Sequence, residues 1–409
     1  MDLLQGIRVL DFTQHQAGPY GTALLADFGA EVIKIERPGG DPARTNHPDV
    51  NGVNAFFLAN NRGKKSLCLD LSKPAAIDIV RRLVAGADVL AHNLKPGAMD
   101  RLGLGYDAVR ALNPRLVYAA VSTYGPRGSR RDDTGVDLIA QAESGIMSVT
   151  GLPQGVALPV GVAIADALGG VNLAFGVMSA LYSRERTGAG QLLQVSLVGG
   201  LLGLQAWELQ HHLLSGAPSA RGGRSHPLIK TLWQSFTAAD GDLVIAEVKD
   251  SWAGICRAIG RPDLATEDRF RSVGRRFKHR ETLLPILEAA LRAESVAHWV
   301  KRLRAEGVLA APVRGYEDVA RDADSRADGY VRRIAHPDKG EIDTPGPFLH
   351  LSETPPEVRA LAPRVGQHSE EILRAIGYGS EDLERLCAAA VVFREQETRT
   401  TPTAGADRP

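Results

Sequence analysis

This chain of 409 residues predicts an α/β protein: a parallel sheet covered by helices on both faces, with a second, smaller domain of mixed strands and helices. Three observations carry that reading. Over the first 125 residues, short apolar runs alternate with helical patterns, which is the signature of strand–helix–strand units. The length exceeds what one ordinary core accommodates. A break rich in Gly, Ser, Pro and Arg, LSGAPSARGGRSHP at Leu214–Pro227, separates this region from a new set of strand and helix signals.

IRVLDFT (Ile7–Thr13) and EVIKIER (Glu31–Arg37) predict strands, with a helix near Tyr20–Asp27 between them. SLCLDL (Ser66–Leu71) predicts the next strand and Lys73–Ala85 the next helix; DVLAHN (Asp88–Asn93) and LVYAAVS (Leu116–Ser122) continue the series. The turn after the first strand reads QHQAGPYG and has no Gly-x-Gly-x-x-Gly, so a dinucleotide fingerprint is unsupported. Thr187–Trp207 is uncharged, but its three glutamines and repeated glycines predict a strand and a buried helix, with no membrane span. Beyond the break, DGDLVIAEV (Asp240–Val248) predicts a turn and strand, and helices follow at Ser251–Ile259 and Glu281–Glu294. His336–Leu351 has strand and turn character, and Glu370–Leu386 predicts two short helices around Gly377. The expected division is a large domain over 1–213, a linker over 214–227, a small domain over 228–320 and a second linker over 321–335. The stretch 336–394 follows, and the polar, Thr- and Pro-rich segment 395–409 is expected to be disordered.

Forty-eight basic residues balance forty-eight acidic ones, which argues against a general partner in nucleic acid or anionic membrane. Cys68, Cys256 and Cys387 are far apart and fit a reducing compartment, neither a disulfide framework nor a zinc site. The N-terminal MDLLQGIRVLDFT lacks the pattern of a secretory signal, so the expectation is a cytoplasmic protein. The spacing of the eleven histidines offers no metal-ligand pattern, and no metal is expected.

The segment most charged with chemistry is PVGVAIADALGGVNLAFGVMSALY, apolar except for Asp166. A carboxylate there is costly to bury unless something stabilises its charge. Ala167–Leu181 predicts a helix, placing Asp166 at the positive end of its dipole. One reading is a helix N-cap; the other is a nucleophilic carboxylate, with Gly169 and Gly170 leaving room for a ligand.

Seven segments in order settle which family supplies the context: VLDFTQHQAGPYGT, LLADFGAEVIKIERPGGDPAR, NNRGKKSLCLDL, HNLKPGAMDRLGLGYD, NPRLVYAAVSTYGPRG, PVGVAIAD and APRVGQHSEEILRAIGY. Together they make the chain resemble the family III CoA-transferases, which include formyl-CoA and carnitine CoA-transferases. The resemblance implies a Rossmann-like large domain built from both chain ends, with 336–394 returning to it and a small α+β domain inserted. It also implies an interlocked homodimer. Coenzyme A and acyl-CoA enter as substrates, and no permanently bound cofactor is expected.

The resemblance places Asp166 at the family's catalytic aspartate. Its carboxylate would attack the donor thioester to give a mixed anhydride and then an aspartyl-CoA thioester, which an incoming acid resolves. Gln16 falls at a family residue beside the reacting carbonyl, its alternative reading being an exposed loop glutamine; Tyr124 sits at a strand end where a hydroxyl would face the site, or is a half-buried turn aromatic. Arg37 matches a CoA-contacting arginine. Arg44, Lys64, Lys65 and Arg101 are further candidates for the phosphates, each with a solvated surface charge as its alternative reading. Asn93 and Leu94 match a segment bordering adenine and ribose, or are simply a loop after a strand. Asp137 and Gln141 begin a helix whose role is either support or direct contact. His92, His211 and His212 are expected to be packing residues.

The sequence departs from relatives at three places. Ser122 stands where formyl-CoA transferase has a lysine. Gly135-Val136-Asp137 replaces the histidine–aspartate pair of the α-methylacyl-CoA racemases, which disfavours a racemase acting on 2-methylacyl-CoA. Ala246–Trp252 (AEVKDSW) lacks the glycine run of a closing lid. A catalytically silent CoA-binding protein is the third reading.

Overall fold

The computed structural model describes residues 2–249 and 251–395, which fall into two compact units. One comprises the stretch running to Glu143, the stretch Val162–Leu204, and the chain onward from Ala323; the other comprises Ser144–Gly161 and Gln205–Asp322. The large unit's first part therefore ends at Leu204 rather than at residue 213, and 144–161 belongs with the second unit. The expected linker at 321–335 carries structure, a helix at Ala323–Ala327 and a strand beginning at Val331. Of the expected disordered tail, 396–409 lies outside the described residues, while Glu395 is ion-paired to Arg364 at 2.8 Å.

In the first unit, β1 (Arg8–Phe12), β2 (Glu31–Glu36), β3 (Lys65–Leu69), β4 (Val89–His92), β5 (Val117–Ser122) and β6 (Leu192–Ser196) pair in parallel. Their near-continuous apolar runs are what a sheet covered on both faces requires. β12 (Val392–Phe393) closes one edge antiparallel to β3, giving the order β12-β3-β2-β1-β4-β5-β6. Residues near the C-terminal end thus add a short edge strand. They also add the helices Ser369–Ala375 and Ser380–Ala388, whose Ile372, Leu373 and Leu383 share a core with Leu10, Ile33, Leu67, Ile79 and Leu90. The hairpin of β10 (Val331–His336) and β11 (Gly340–Pro345) belongs to the same unit.

The chain runs from β1 outward to β3, then crosses back to β4 and continues to β6. The order reverses between β1 and β4, and the crevice outside their carboxyl ends is where an open α/β sheet receives a ligand.

The helix Ile164–Thr187 is longer at both ends than the sequence predicts, and it is long and apolar enough to cross a membrane. Its Leu173, Val177, Ala180 and Leu181 are buried in this unit, which makes it a core helix.

In the second unit, β7 (Trp233–Thr237), β8 (Asp242–Ala246) and β9 (Leu309–Pro312) form an antiparallel sheet. Helices Trp252–Ala258, Arg280–Leu291 and Val296–Ala305 bury Ile255, Leu287 and Trp299 against Phe236 and Ile245. Glu247, in the stretch compared with a lid, is buried and ion-paired to Arg276.

Candidate active site

Two helix beginnings converge at the crevice. Phe12 ends β1 opposite His92, the end of β4, and the loop Thr13–Gln16 leads into the helix Ala17–Asp27. Asn93 spans the switch point: its Oδ1 accepts from the Gln14 N–H at 2.7 Å and its Nδ2 donates to the Gln14 carbonyl at 2.8 Å. Gln16 occupies the N-cap position but does not cap with its side chain. Among the described residues its amide makes no hydrogen bond, so it is a free donor.

The second beginning is that of Ile164–Thr187, and glycines set its position. A methyl group at Gly170 would sit 2.8 Å from Tyr20 Cδ1 and 2.9 Å from the Ala17 carbonyl oxygen; one at Gly21 would sit 2.6 Å from the Gly170 oxygen. A methyl at Gly169 would press on Leu197 at 2.5 Å. Both glycines are buried, so the space they free is filled by neighbouring helices and not by a ligand. Ala17 lies beside Gly169 and Gly170, and Gly21 beside Leu173, so the helices run the same way. Gln16 and Asp166 therefore share one end of the pair.

Asp166 is not the N-cap; that position is Ala163, and Asp166 stands three residues further on. The capping is done from a distance. Asp137 Oδ1 accepts from the Ala165 N–H at 2.7 Å and the Asp166 N–H at 3.1 Å, while its Oδ2 accepts from Gln141 at 2.6 Å. With those donors taken, the Asp166 carboxylate accepts no hydrogen bond among the described residues. Burial, and then the Asp137 carboxylate, push its pKa up to about 6. A half-buried, unpaired carboxylate whose basicity exceeds that of an ordinary aspartate is a competent nucleophile at neutral pH.

The remaining candidates separate cleanly. Arg37, after β2, is exposed and donates only to Gly40 O at 3.3 Å, and Arg101 is exposed, so both cations are open to a phosphate. Arg44 is not: its Nε and Nη2 donate to the two Glu36 oxygens at 2.8 Å each, Nη2 donates also to the Pro363 carbonyl at 2.8 Å, and Phe57 stacks beneath at 3.8 Å. Lys65 lies at the opening residue of β3, the edge away from the crevice, between Glu31 and Glu371. Lys64 is wholly buried on Asp11 at 2.9 Å. These three are structural cations. Leu94 packs against the core. The Tyr124 hydroxyl is taken by Arg130, which also stacks on its ring at 4.1 Å. Ser122 Oγ donates to Tyr124 O at 2.6 Å and shapes the strand end.

His92 is held neutral by burial, its pKa pushed down to about 4. His211 and His212 are exposed on the helix Ala206–Ser215, so they are not packing residues. Sequence reasoning reaches neither Lys34 nor Asp41, which pair at 2.9 Å beneath the β1 exit. The signal was present, a lone cation inside the apolar strand EVIKIE.

The sequence model of CoA-transferase family III matches residues 4–369. The succinyl-CoA:glutarate CoA-transferase of Mus musculus is 33% identical over 403 residues, covering 98% of this chain and 92% of that protein. The succinyl-CoA:mesaconate CoA-transferase of Haloarcula marismortui is 36% identical over 396 residues, covering 92% and 97%. A CAIB/BAIF family protein from Brucella suis superimposes with a TM-score of 0.84 at 32% identity, over 92% of this chain and 99% of that one. Sequence and fold agree along nearly the whole length, and the chain belongs to the family III CoA-transferases.

Proposed function

We propose that this enzyme moves CoA from an acyl-CoA to a free carboxylic acid through covalent chemistry on Asp166. The observation that carries the reading is the Asp166 carboxylate, unpaired and raised to about 6, at the same helix-pair end as the free amide of Gln16. The carboxylate oxygen adds to the thioester carbonyl and expels CoA thiolate, leaving a mixed anhydride. The thiolate then adds to the aspartyl carbonyl and releases the donor acid. The acceptor carboxylate attacks the resulting aspartyl-CoA, and the same two exchanges run backward. Each addition places negative charge on a carbonyl oxygen, which the Gln16 amide is placed to receive. Arg37 and Arg101 hold the CoA phosphates, and Asn93 fixes the loop beside them. The donor is succinyl-CoA and the acceptor a dicarboxylic acid, by similarity to the glutarate and mesaconate enzymes.

Replacing Asp166 with Asn is expected to lower exchange by about a thousandfold or more while the protein still folds and binds CoA. The check is a panel of acyl-CoA donors against dicarboxylic and aromatic acids, with hydroxylamine trapping of the adduct. Turnover retained in Asp166→Asn, or a covalent mark elsewhere, overturns the assignment. The 2-methylacyl-CoA racemase reading lacks its base, because Val136 stands where an imidazole is needed. Solvent deuterium entering the α carbon without acyl exchange would restore it. A silent CoA-binding protein would form no adduct.

The enzyme works as a homodimer in the cytoplasm. Phe175 and Tyr182 on the long helix are 73% and 62% exposed. In the second unit the helix Ala206–Ser215 has no buried residue and exposes Trp207, Leu213 and Leu214. Apolar surface of that extent calls for a partner, and a second copy supplies it. No nucleic acid and no membrane enters this scheme.

A further inference from the structure

The loop Thr13–Gln16 adopts a conformation that its own residues disfavour. His15 has φ +63°, a left-handed backbone that is sparsely populated for a residue with a side chain and persists only where the surroundings enforce it. The enforcement comes from three directions. Asn93 holds both polar groups of Gln14. Lys34 Nζ donates to the Thr13 carbonyl at 2.7 Å, and Asp41 Oδ1 accepts from the His15 N–H at 3.3 Å and the Ala43 N–H at 2.9 Å. Lys34 and Asp41 form an ion pair at 2.9 Å, with both side chains 1% exposed. Asp41 is located in turn by its own N–H, which donates to Glu36 at 3.0 Å.

A buried ion pair is no more stabilising than a well-packed apolar pair, so core filling does not account for it. What an apolar pair lacks is spare valence. Here the spare valences go to Thr13 and His15, on the loop that ends at Gln16. We infer that Asp41, backed by Lys34, is a positioning residue that locks this loop and aims the Gln16 amide at the carbonyl attacked by Asp166. The inference rests on the proposed role of Gln16 as oxyanion donor.

The test is a double-mutant cycle, measured with succinyl-CoA and glutarate or with the fastest pair from the substrate panel. Gln16→Ala alone is expected to lower kcat about a hundredfold. Asp41→Ala, which removes the oxygen that accepts from His15 and Ala43, is expected to lower kcat about ten- to a hundredfold, with the KM for acyl-CoA moving less than about threefold. The double variant should be no slower than Gln16→Ala alone, because a misaimed amide and a missing one are equivalent. If the two losses multiply, or if Asp41→Ala keeps the wild-type kcat, positioning is overturned while the Gln16 reading stands. If Gln16→Ala keeps its kcat, the Gln16 reading fails on its own measurement and positioning falls with it. Should Asp41→Ala misfold by stranding the Lys34 ammonium, the pair Lys34→Met with Asp41→Leu leaves no unpaired charge and runs the same cycle.

Discussion

The acidity of one side chain links structure to rate. Because the Asp166 pKa is raised to about 6, exchange should climb between pH 5 and 7 with an apparent pKa near that value. Burial is the larger cause and Asp137 the second, so Asp137→Asn, which keeps an oxygen to cap the helix, should slide the rising limb to lower pH. A pH–kcat/KM profile of both proteins decides the point. Stability carries the same signature with its own sign. Between about pH 4 and pH 6 the folded protein retains a proton that the unfolded chain has released, so ionising Asp166 costs stability as pH rises through that window. Asp166→Asn should therefore melt higher than wild type at pH 7, and the gap should close as the pH falls to about 4. Among the cations, Arg37→Ala should raise the KM for acyl-CoA, whereas Lys65→Ala, far from the crevice and already paired, should leave it unchanged and cost under about 1 kcal/mol. Residue identity alone does not separate these two, since free and committed cations read alike in a sequence. Segments in family order single out Asp166, Gln16 and Arg37 as candidates, but nothing in the sequence marks the Glu36 paired with Arg44 or the Glu371 beside Lys65.

At the scale of elements, the strands announced themselves because the sheet is covered on both faces and the runs are mainly apolar, although β1 carries Asp11 and β2 carries Lys34. Ile7–Thr13 against the observed Arg8–Phe12 shows the usual margin of a residue or two. What failed was long-range partnership. Asp137 caps a helix that begins 27 residues later, and no local pattern marks such a cap. Gly169 and Gly170 looked like space for a ligand because a sequence does not say which neighbour approaches. Gly170→Val tests the packing reading. The added side chain meets Tyr20 Cδ1 at 2.8 Å and the Ala17 oxygen at 2.9 Å, both at its first carbon, so a loss of about 1–3 kcal/mol is expected in urea unfolding.

For the whole molecule, two units were foreseen, but their boundaries were not. The composition break at Leu214–Pro227 is real, yet the division falls at Leu204 and the second unit also takes in Ser144–Gly161. Those eighteen residues lie between the helix beginning at Asp137 and the helix carrying Asp166, and nothing in their composition reports the excursion. The proposed dimer is likewise a matter of surface. Leu213→Asp with Leu214→Asp, which charges a helix that buries nothing of its own, should convert the dimer to monomer in light scattering. A monomeric wild-type protein at micromolar concentration would refute it.

Under the proposed mechanism, the remote cap divides responsibility for the nucleophile between two stretches of chain: one carries the carboxylate, and the other adds to what burial does in setting how readily it gives up its proton. Replacing Asp137 by an uncharged residue within 133–143 is therefore expected to retune the working pH range of this enzyme without touching the segment proposed to carry the chemistry. The two properties are free to diverge independently.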